Sequence, residues 1–402
     1  MKIGIYGGTF DPPHLGHMEA AKTAMEVLGL DRLIIVPDRD PPHKGLPTDA
    51  ATPEQRLEMA RLMADGISPW AEASDIELKR EGKSFTADTV EEIHEQFPDD
   101  ELWLLMGTDM FLTVQNWYQP ERIFLHASVA AFSRNYDDTE EMFLEQSQYL
   151  SERFQARTTV IQLKKINQIS SQDLRRMLAS EWTGGNVDPA QYLWPPVYGY
   201  ILREGLFGTQ ADLRHLSDKH LRAVSYSMVK AKRLPHIKGT EETAEALAKF
   251  WGEDPEKARR AGILHDCTKY WDLERQVSVC EKYGIAMDPL ERSAPKLLHS
   301  KTGAAMARHV FGEPDAVYDA IFCHTTGKVG MTTLDKILYL ADYMEPNRDF
   351  DGVEELRRLV WEDLDEAMLL GLEMNVEDLE ERGLEIHRNT QEVLEELRGR
   401  LR

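Results

Sequence analysis

Two histidines three residues apart close the string GGTFDPPHLGH, residues Gly7 to His17. The string directly follows a short apolar run, Ile3 to Tyr6, and precedes a helical pattern that starts near Leu15. That order puts a glycine pair, Gly7 and Gly8, where a backbone can come close to a bound nucleotide. It also puts His14 and His17 on one side of a first helical turn, where free N–H groups attract phosphate. Two imidazoles there can donate to phosphate oxygens as negative charge builds up. The chain has neither GxxxxGK[ST] nor GxGxxG at this place, so it is neither a P-loop nor a dinucleotide fingerprint.

The second half scatters another set: His236, His265, Asp266, His299, His324 and Asp342. Each follows or sits within an apolar helical stretch, as in AGILHD, AIFCH and LYLADYM, so these side chains are expected to point inward. A buried unpaired carboxylate is costly, and a metal cluster removes that cost. Imidazole and carboxylate donors suit Fe, Mn or Zn without a thiolate. Six ligands exceed one tetrahedral site, so two metals sharing Asp266 is the natural count. Any one of these histidines alone reads as a satisfied core residue; the ordered set carries the metal reading. Cys267 and Cys323 flank it as small apolar filler.

The elements that must position these groups differ between the halves. Strand signals at Ile3 to Tyr6, Leu33 to Val36, Leu102 to Met106, Val129 to Phe132 and Thr159 to Leu163 alternate with helical patterns. Those helices are expected at Met18 to Leu28, Pro53 to Asp65, Thr86 to Gln96, Glu140 to Phe154 and Ser171 to Ala179. The alternation predicts a mostly parallel sheet covered on both faces. After Phe207 only helical patterns follow: Leu213 to Arg233, Thr240 to Trp251, Pro255 to His265, Leu273 to Tyr283, Thr302 to Val310, Asp315 to Phe322, Leu334 to Tyr343 and Val353 to Glu373. The reading is an α/β domain over residues 1–207 and an all-α domain over 213–402, joined near Gly208. The Glu-, Leu- and Arg-rich tail from Val353 reads as a solvated helical face.

The 402 residues allow two or three domains. With 47 Lys and Arg against 70 Asp and Glu, the net charge of −23 disfavours nucleic acid and anionic lipid as partners. Phosphates would be met in local pockets. Three cysteines, none in a CxxC pair, suit a reducing cytoplasm, and no apolar run is long enough to span a bilayer. The opening MKIGIYGGTF lacks the pattern of a signal peptide and reads as a first strand.

The first string resembles the HxGH nucleotidyltransferases and is similar to nicotinate-mononucleotide adenylyltransferases. The likeness extends through Pro41-Pro42-His43-Lys44, Ser84-Phe85-Thr86-Ala87-Asp88-Thr89, Gly107-Thr108-Asp109, Trp117 and Ile169-Ser170-Ser171 with Arg175. Together these cover roughly the first 205 residues in the family's order, with Gln172 standing where the family usually has Thr. The resemblance implies a Rossmann-like fold and in-line attack of nicotinate mononucleotide on the α-phosphorus of Mg²⁺-bound ATP. By the same resemblance Gly7, Gly8, Thr9, Phe10, His14, His17, Gly107, Asp109, Ser170, Ser171 and Arg175 bind ATP, with His14, His17 and Arg175 catalytic. Lys44, Thr86, Trp117, Tyr118 and Arg134 bind nicotinate mononucleotide, Trp117 by stacking on the pyridine ring. Plain core packing is the rival reading for Trp117, and a solvated loop lysine the rival for Lys44.

The second set resembles HD-domain phosphohydrolases. Arg233-Leu234-Pro235-His236, Leu264-His265-Asp266-Cys267-Thr268-Lys269, Leu297-Leu298-His299, His324-Thr325-Thr326-Gly327 and Leu340 to Arg348 are similar to the HD-type symmetrical diadenosine-tetraphosphate hydrolases. Ser300 and Thr240 depart from that family's usual Gly and Val. The resemblance implies two Fe or Mn ions held by His236, His265, Asp266, His299, His324 and Asp342. It gives Asp266 and Lys269 catalytic roles, with Lys328 and Arg348 as helpers, and two ADP as products. The expectation is a bifunctional cytoplasmic enzyme acting on small nucleotides, with no nucleic acid or membrane partner and a homo-oligomer left open. A general nucleotide phosphohydrolase and a non-catalytic regulatory module are the alternatives for the second half.

Overall fold

The computed structural model describes residues 1–42, 45–133, 139–163, 169–182, 184–185 and 187–401. They form two compact units, Met1–Gln210 and Ala211–Arg402. The first unit runs β1 (Lys2–Gly8), α1 (Leu15–Leu28), β2 (Arg32–Pro37), α2 (Pro53–Asp65), β3 (Ala71–Ala73), α3 (Ile76–Lys79), α4 (Thr86–Gln96) and β4 (Glu101–Gly107). It continues with α5 (Thr108–Phe111), α6 (Pro120–His126), β5 (Ala127–Ser133), α7 (Glu140–Phe154), β6 (Thr158–Gln162), α8 (Ser171–Glu181) and α9 (Pro195–Glu204).

The six strands lie in the order β3-β2-β1-β4-β5-β6, and every pairing is parallel. This is the doubly wound Rossmann order. Ile3, Ile5 and Tyr6 of β1, Leu33 to Val36 of β2 and Val129 to Phe132 of β5 are all buried, which explains the unbroken apolar runs. The chain winds outward from β1 to β3 and then returns to lay β4 against the other side of β1. Two crossovers therefore part in opposite directions from the carboxyl ends of β1 and β4, leaving a crevice there.

Sequence reading missed β3, a three-residue edge strand too short to show a period. It also missed α9, whose PPVYGYILRE looks strand-like. Pro195 at its first turn and Gly205 in the left-handed conformation at its end make it a helix instead.

The second unit is helical throughout its regular elements. It comprises α10 (Asp218–Tyr226), α11 (Leu234–Trp251), α12 (Pro255–Leu264), α13 (Leu273–Lys282), α14 (Pro295–His309) and α15 (Asp315–Cys323). After these come α16 (Thr333–Met344), α17 (Val353–Leu359), α18 (Leu364–Glu381) and α19 (Arg388–Leu401). Small residues let the central helices approach closely. A Cβ on Gly262 of α12 would stand 2.7 Å from the Glu241 Cα of α11.

Several expected boundaries move, each for a local reason. The expected helix from Leu213 to Arg233 is interrupted, because Ser217 caps a new start at α10. α11 begins at Leu234, six residues early, so His236 lies within its first turn rather than before it. α14 begins at Pro295, which brings His299 inside the helix. The expected helix from Val353 to Glu373 divides where the Asp363 carboxylate accepts the N–H groups of Asp365 and Glu366 and starts α18.

The tail is not only a solvated face: α19 buries Val393, Leu394 and Leu397. Its entry is pinned by His387, whose Nε2 lies 2.9 Å from Asp288 and 3.5 Å from Glu291, with Lys301 completing the group. The nearby Glu291 carboxylate, with Asp288 beside it, raises His387 above the ordinary histidine value of 6.5, against the opposing pull of burial. Burial would raise Glu291, but His387 and Lys301 hold it down to about 2. A raised histidine contributes stability fully below its unfolded value and loses it as pH rises through its folded value. The thermal midpoint of the α19-bearing unit is therefore expected to fall as pH is raised from 6 toward 9. His387→Gln should flatten that slope, and an unchanged slope in differential scanning calorimetry would remove His387 as its source.

Candidate active sites

The crevice in the first unit is a cavity of about 690 Å³. Four helices begin on its wall: α1 at His14 to His17, α4 at Thr86, α5 at Thr108 and Asp109, and α8 at Ser170 and Ser171. Helix starts present N–H groups and the positive end of the backbone dipole, so their convergence makes the cavity receptive to phosphate.

His14 is the N-cap of α1 and His17 its third residue. Gly16 N–H donates to His14 Nδ1 at 3.1 Å, and His14 N–H donates to His17 Nδ1 at 3.2 Å. The rings lie against each other, with centroids 3.8 Å apart. Because each Nδ1 accepts a backbone N–H, the proton of each neutral ring sits on Nε2. The sequence thus builds a matched pair of Nε2–H donors from a capping interaction.

Of the residues the first resemblance singles out, Gly7, Gly8, Thr9, Phe10, His14, His17, Thr86, Gly107, Asp109, Trp117, Ser170 and Ser171 all line this cavity. Trp117 also packs on the apolar core, so it is both a core residue and a wall. Tyr118 is not in the lining; it stacks on Phe85, centroids 4.3 Å apart. Arg175 also stands outside the lining. Its guanidinium donates to the Asp11 carbonyl at 2.7 Å and to the Asp11 carboxylate at 3.3 Å. The Ser171 hydroxyl donates to the Pro12 carbonyl at 3.0 Å. In this structure α8 therefore braces the loop ahead of His14. Lys44 and Arg134 lie outside the described residues.

Sequence reading missed Arg56, the largest fully buried side chain among the described residues. It donates to the carbonyls of Thr9, Asp38, Arg39 and Ala51 and to the Asp38 carboxylate at 2.9 Å. One guanidinium so ties the loop after β1 to the loop after β2 and to the entry of α2. The signal was present: Arg56 shares the spacing of Met59, Ala60 and Met63, the buried stripe of α2. Glu77 was missed too. It lines the cavity, accepts from the Thr89 hydroxyl at 2.6 Å, and burial pushes its carboxyl up.

In the second unit the ordered set converges. His265 and Asp266 are fully buried, and His236, His299 and His324 nearly so. The Nε2 atoms of His236 and His265 stand 3.2 Å apart, as do those of His299 and His324. Asp266 lies between the pairs: Oδ1 is 3.0 Å from His299 Nε2, and Oδ2 is 3.5 Å from His265 Nε2. Asp342 Oδ1 is 3.0 Å from His236 Nε2.

Two groups suited to an ion result, His236–His265–Asp266 and Asp266–His299–His324, with Asp266 common to both. Donors about 2.1 Å from one ion stand roughly 3.0 to 3.4 Å apart, so these separations fit divalent metals. The protonation states fit as well. Burial, with Lys269 beside it, lowers His299 to about 4, and burial lowers His236, so both are biased toward the neutral ring that a metal takes. Burial works against ionising Asp266 and Asp342, yet the surrounding cationic and histidine groups hold both well below the usual carboxylate range.

Lys269 donates to Asp266 Oδ1 at 3.2 Å, Arg348 donates to Asp342 Oδ1 at 3.0 Å, and Arg233, which sequence reading left without a role, lies against Asp266. Lys328 is instead paired with Asp335 at 2.9 Å.

Comparison with known proteins follows the same division. The cytidylyltransferase-like family model matches residues 5–177, and the HD domain model matches residues 233–347. A protein of Carboxydothermus hydrogenoformans, named "Probable nicotinate-nucleotide adenylyltransferase", is 34% identical over 206 residues, covering 51% of this chain and 98% of its own. One of the same name from Dictyoglomus thermophilum is 44% identical over 138 residues, covering 34% and 69%. A solved structure from Clostridium acetobutylicum, titled "predicted HD superfamily hydrolase involved in NAD metabolism", is 36% identical with a TM-score of 0.45. It covers 46% of this chain and 98% of that one.

The Arg56 strut is open to direct test. Arg56→Met keeps bulk but removes the guanidinium donor that the Asp38 carboxylate and four carbonyls share. We expect a loss of about 3 kcal/mol in urea unfolding of the first unit. A loss below about 0.5 kcal/mol, the ordinary effect of a surface change, would contradict the role given to Arg56.

Proposed function

We propose, from a chain that belongs to the nicotinate-nucleotide adenylyltransferase family in its first half and carries an HD domain in its second, that the protein is a bifunctional nucleotide enzyme. The first unit transfers the adenylyl group of Mg²⁺-bound ATP to nicotinate mononucleotide, giving nicotinate adenine dinucleotide and pyrophosphate, a step of NAD biosynthesis. The second hydrolyses diadenosine tetraphosphate symmetrically to two ADP. Three unbridged cysteines support a cytoplasmic setting.

The observation that carries the first reading is the His14–His17 pair at the start of α1, facing a cavity ringed by helix starts. The phosphate oxygen of nicotinate mononucleotide forms a bond to the α-phosphorus as the bond to pyrophosphate breaks, so no enzyme nucleophile is required. The chain supplies position and charge. His14 and His17 donate from Nε2 to oxygens that gain charge as the bond breaks. The N–H groups at the start of α8 receive the outer phosphates, and Asp109 on the rim accepts from a ribose hydroxyl. Trp117 offers its ring face to the pyridine, with Thr86 beside it for the nicotinate carboxylate. Arg175 acts from behind the wall, holding the Asp11 to Pro12 loop that sets His14.

The observation that carries the second reading is the convergence of four imidazole Nε2 atoms on Asp266. Two divalent ions, Fe or Mn as the resemblance to HD-domain hydrolases implies, would supply Lewis acidity there for hydrolysis. His236, His265, Asp266 and Asp342 would hold one, and Asp266, His299 and His324 the other. Lys269, Arg233 and Arg348 surround these groups with positive charge, which suits a polyphosphate chain.

Paired substitutions separate the two reactions. His17→Ala should lower adenylyl transfer by a hundredfold or more and leave phosphohydrolysis unchanged. His265→Ala in metal-loaded protein should abolish release of ADP from diadenosine tetraphosphate and leave adenylyl transfer unchanged. Products are resolved by ion-exchange chromatography. AMP with ATP, or no turnover with Fe or Mn, would move the second unit to another phosphohydrolase or to a regulatory module.

A further inference from the structure

The four histidines of the HD site are held in two different ways. His265, His299 and His324 each place Nδ1 2.7 Å from the carbonyl three residues earlier in their own chain, at Gly262, Lys296 and Ile321. His236 sits in the first turn of α11, and its Nδ1 instead faces a carboxylate, Glu345 Oε1, at 3.0 Å. Glu345 follows α16 and is almost completely buried.

That carboxylate occupies a place prepared for it. Its other oxygen accepts the Asn347 backbone N–H at 2.7 Å and the Asn347 side-chain amide at 2.8 Å. The same amide nitrogen donates to the Pro235 carbonyl at 3.0 Å, next to His236. Gly239, one turn along α11, leaves the room: a Cβ there would stand 2.2 Å from Glu345 Oε2. A glycine gap, two amide donors and an imidazole all converge on one buried carboxylate whose outward neighbour is a metal-ligand histidine.

We propose that Glu345 is a positioning residue for His236, and that through it the position served by His236, His265, Asp266 and Asp342 binds a divalent ion more tightly than the position served by Asp266, His299 and His324. The inference rests on the metal reading of the HD site. His236 donates its Nδ1–H to Glu345, which fixes the ring, turns the Nε2 lone pair toward Asp342 and Asp266, and makes that nitrogen a stronger donor. Charge acts in the same direction. The first position has two carboxylates within reach and a third behind His236, while the second shares only Asp266.

The test is cobalt binding by the full-length, metal-stripped chain, followed by equilibrium dialysis and visible absorption. The wild-type protein should take up two Co²⁺ in two resolved steps. Glu345→Gln keeps the size and loses the charge. Asn347→Ala leaves Glu345 in place but removes an amide that holds it, and Asn347 is exposed, so this variant avoids a core substitution. Both should weaken the first step by about 10- to 100-fold, Glu345→Gln more, and change the absorption of that step alone. The second step should keep its constant and its spectrum. Unchanged binding in both variants would overturn the role of Glu345, and so would equal weakening of both steps, the mark of a general loss of structure. No cobalt binding by the wild-type chain would overturn the metal reading itself and this inference with it.

Discussion

A charge taken out of water must be met, and the functional regions of both units are organised by that requirement. In the first unit the charge is Arg56. Buried without remainder, it can be satisfied only if several backbone carbonyls and one carboxylate come to it together. Those acceptors belong to separate loops, at Thr9, Asp38 to Arg39 and Ala51. Their convergence gives the crevice at the carboxyl ends of β1 and β2 one shape. In the second unit the charge is Asp266, fully buried and reached by imidazoles from α11, α14 and the turns after α12 and α15, with Arg233 and Lys269 alongside. The carboxylate draws these segments into one cluster.

The two candidate sites are built by opposite means for the phosphate chemistry proposed for them. The first relies on backbone: four helix starts, a glycine pair and two histidines whose orientation comes from capping α1. The second relies on side chains, four imidazoles and two carboxylates deep in a helical core, with three cations at its edge. Net acidity of the chain and phosphate handling are therefore compatible, because attraction in each site acts over a few ångströms.

The parallel sheet was legible because its strands are buried on both faces, so LIIV in β2 and ASVAAF in β5 stand out as continuous apolar runs. β3 was not, since three residues with alternating partial exposure carry no period. The glycine and histidine string, and the ordered histidines and aspartates, were legible as residue types in sequence. What they touch was not. Arg175 reads as a phosphate ligand by its place in a motif, yet its partner Asp11 lies 164 residues away. Nothing local announces such a pairing.

The charged residues to which sequence reading gave no role share a property. Arg56, Glu77 and Glu345 are buried charged groups and Arg233 a largely covered one, each held by at least one partner more than ten residues away. A charge on an apolar stripe, as Arg56 shows on α2, is detectable by period alone, because helical spacing states which positions go inside. Glu345 lies just past a helix end, where no period operates, and only the gap at Gly239 and the two donors of Asn347 reveal that its burial is built. Side chains that act directly on a substrate tend to gather in recognisable strings, because neighbouring backbone must present them together. Side chains that hold those strings in place are free to come from anywhere the fold can bring them, so their identification waits on three dimensions.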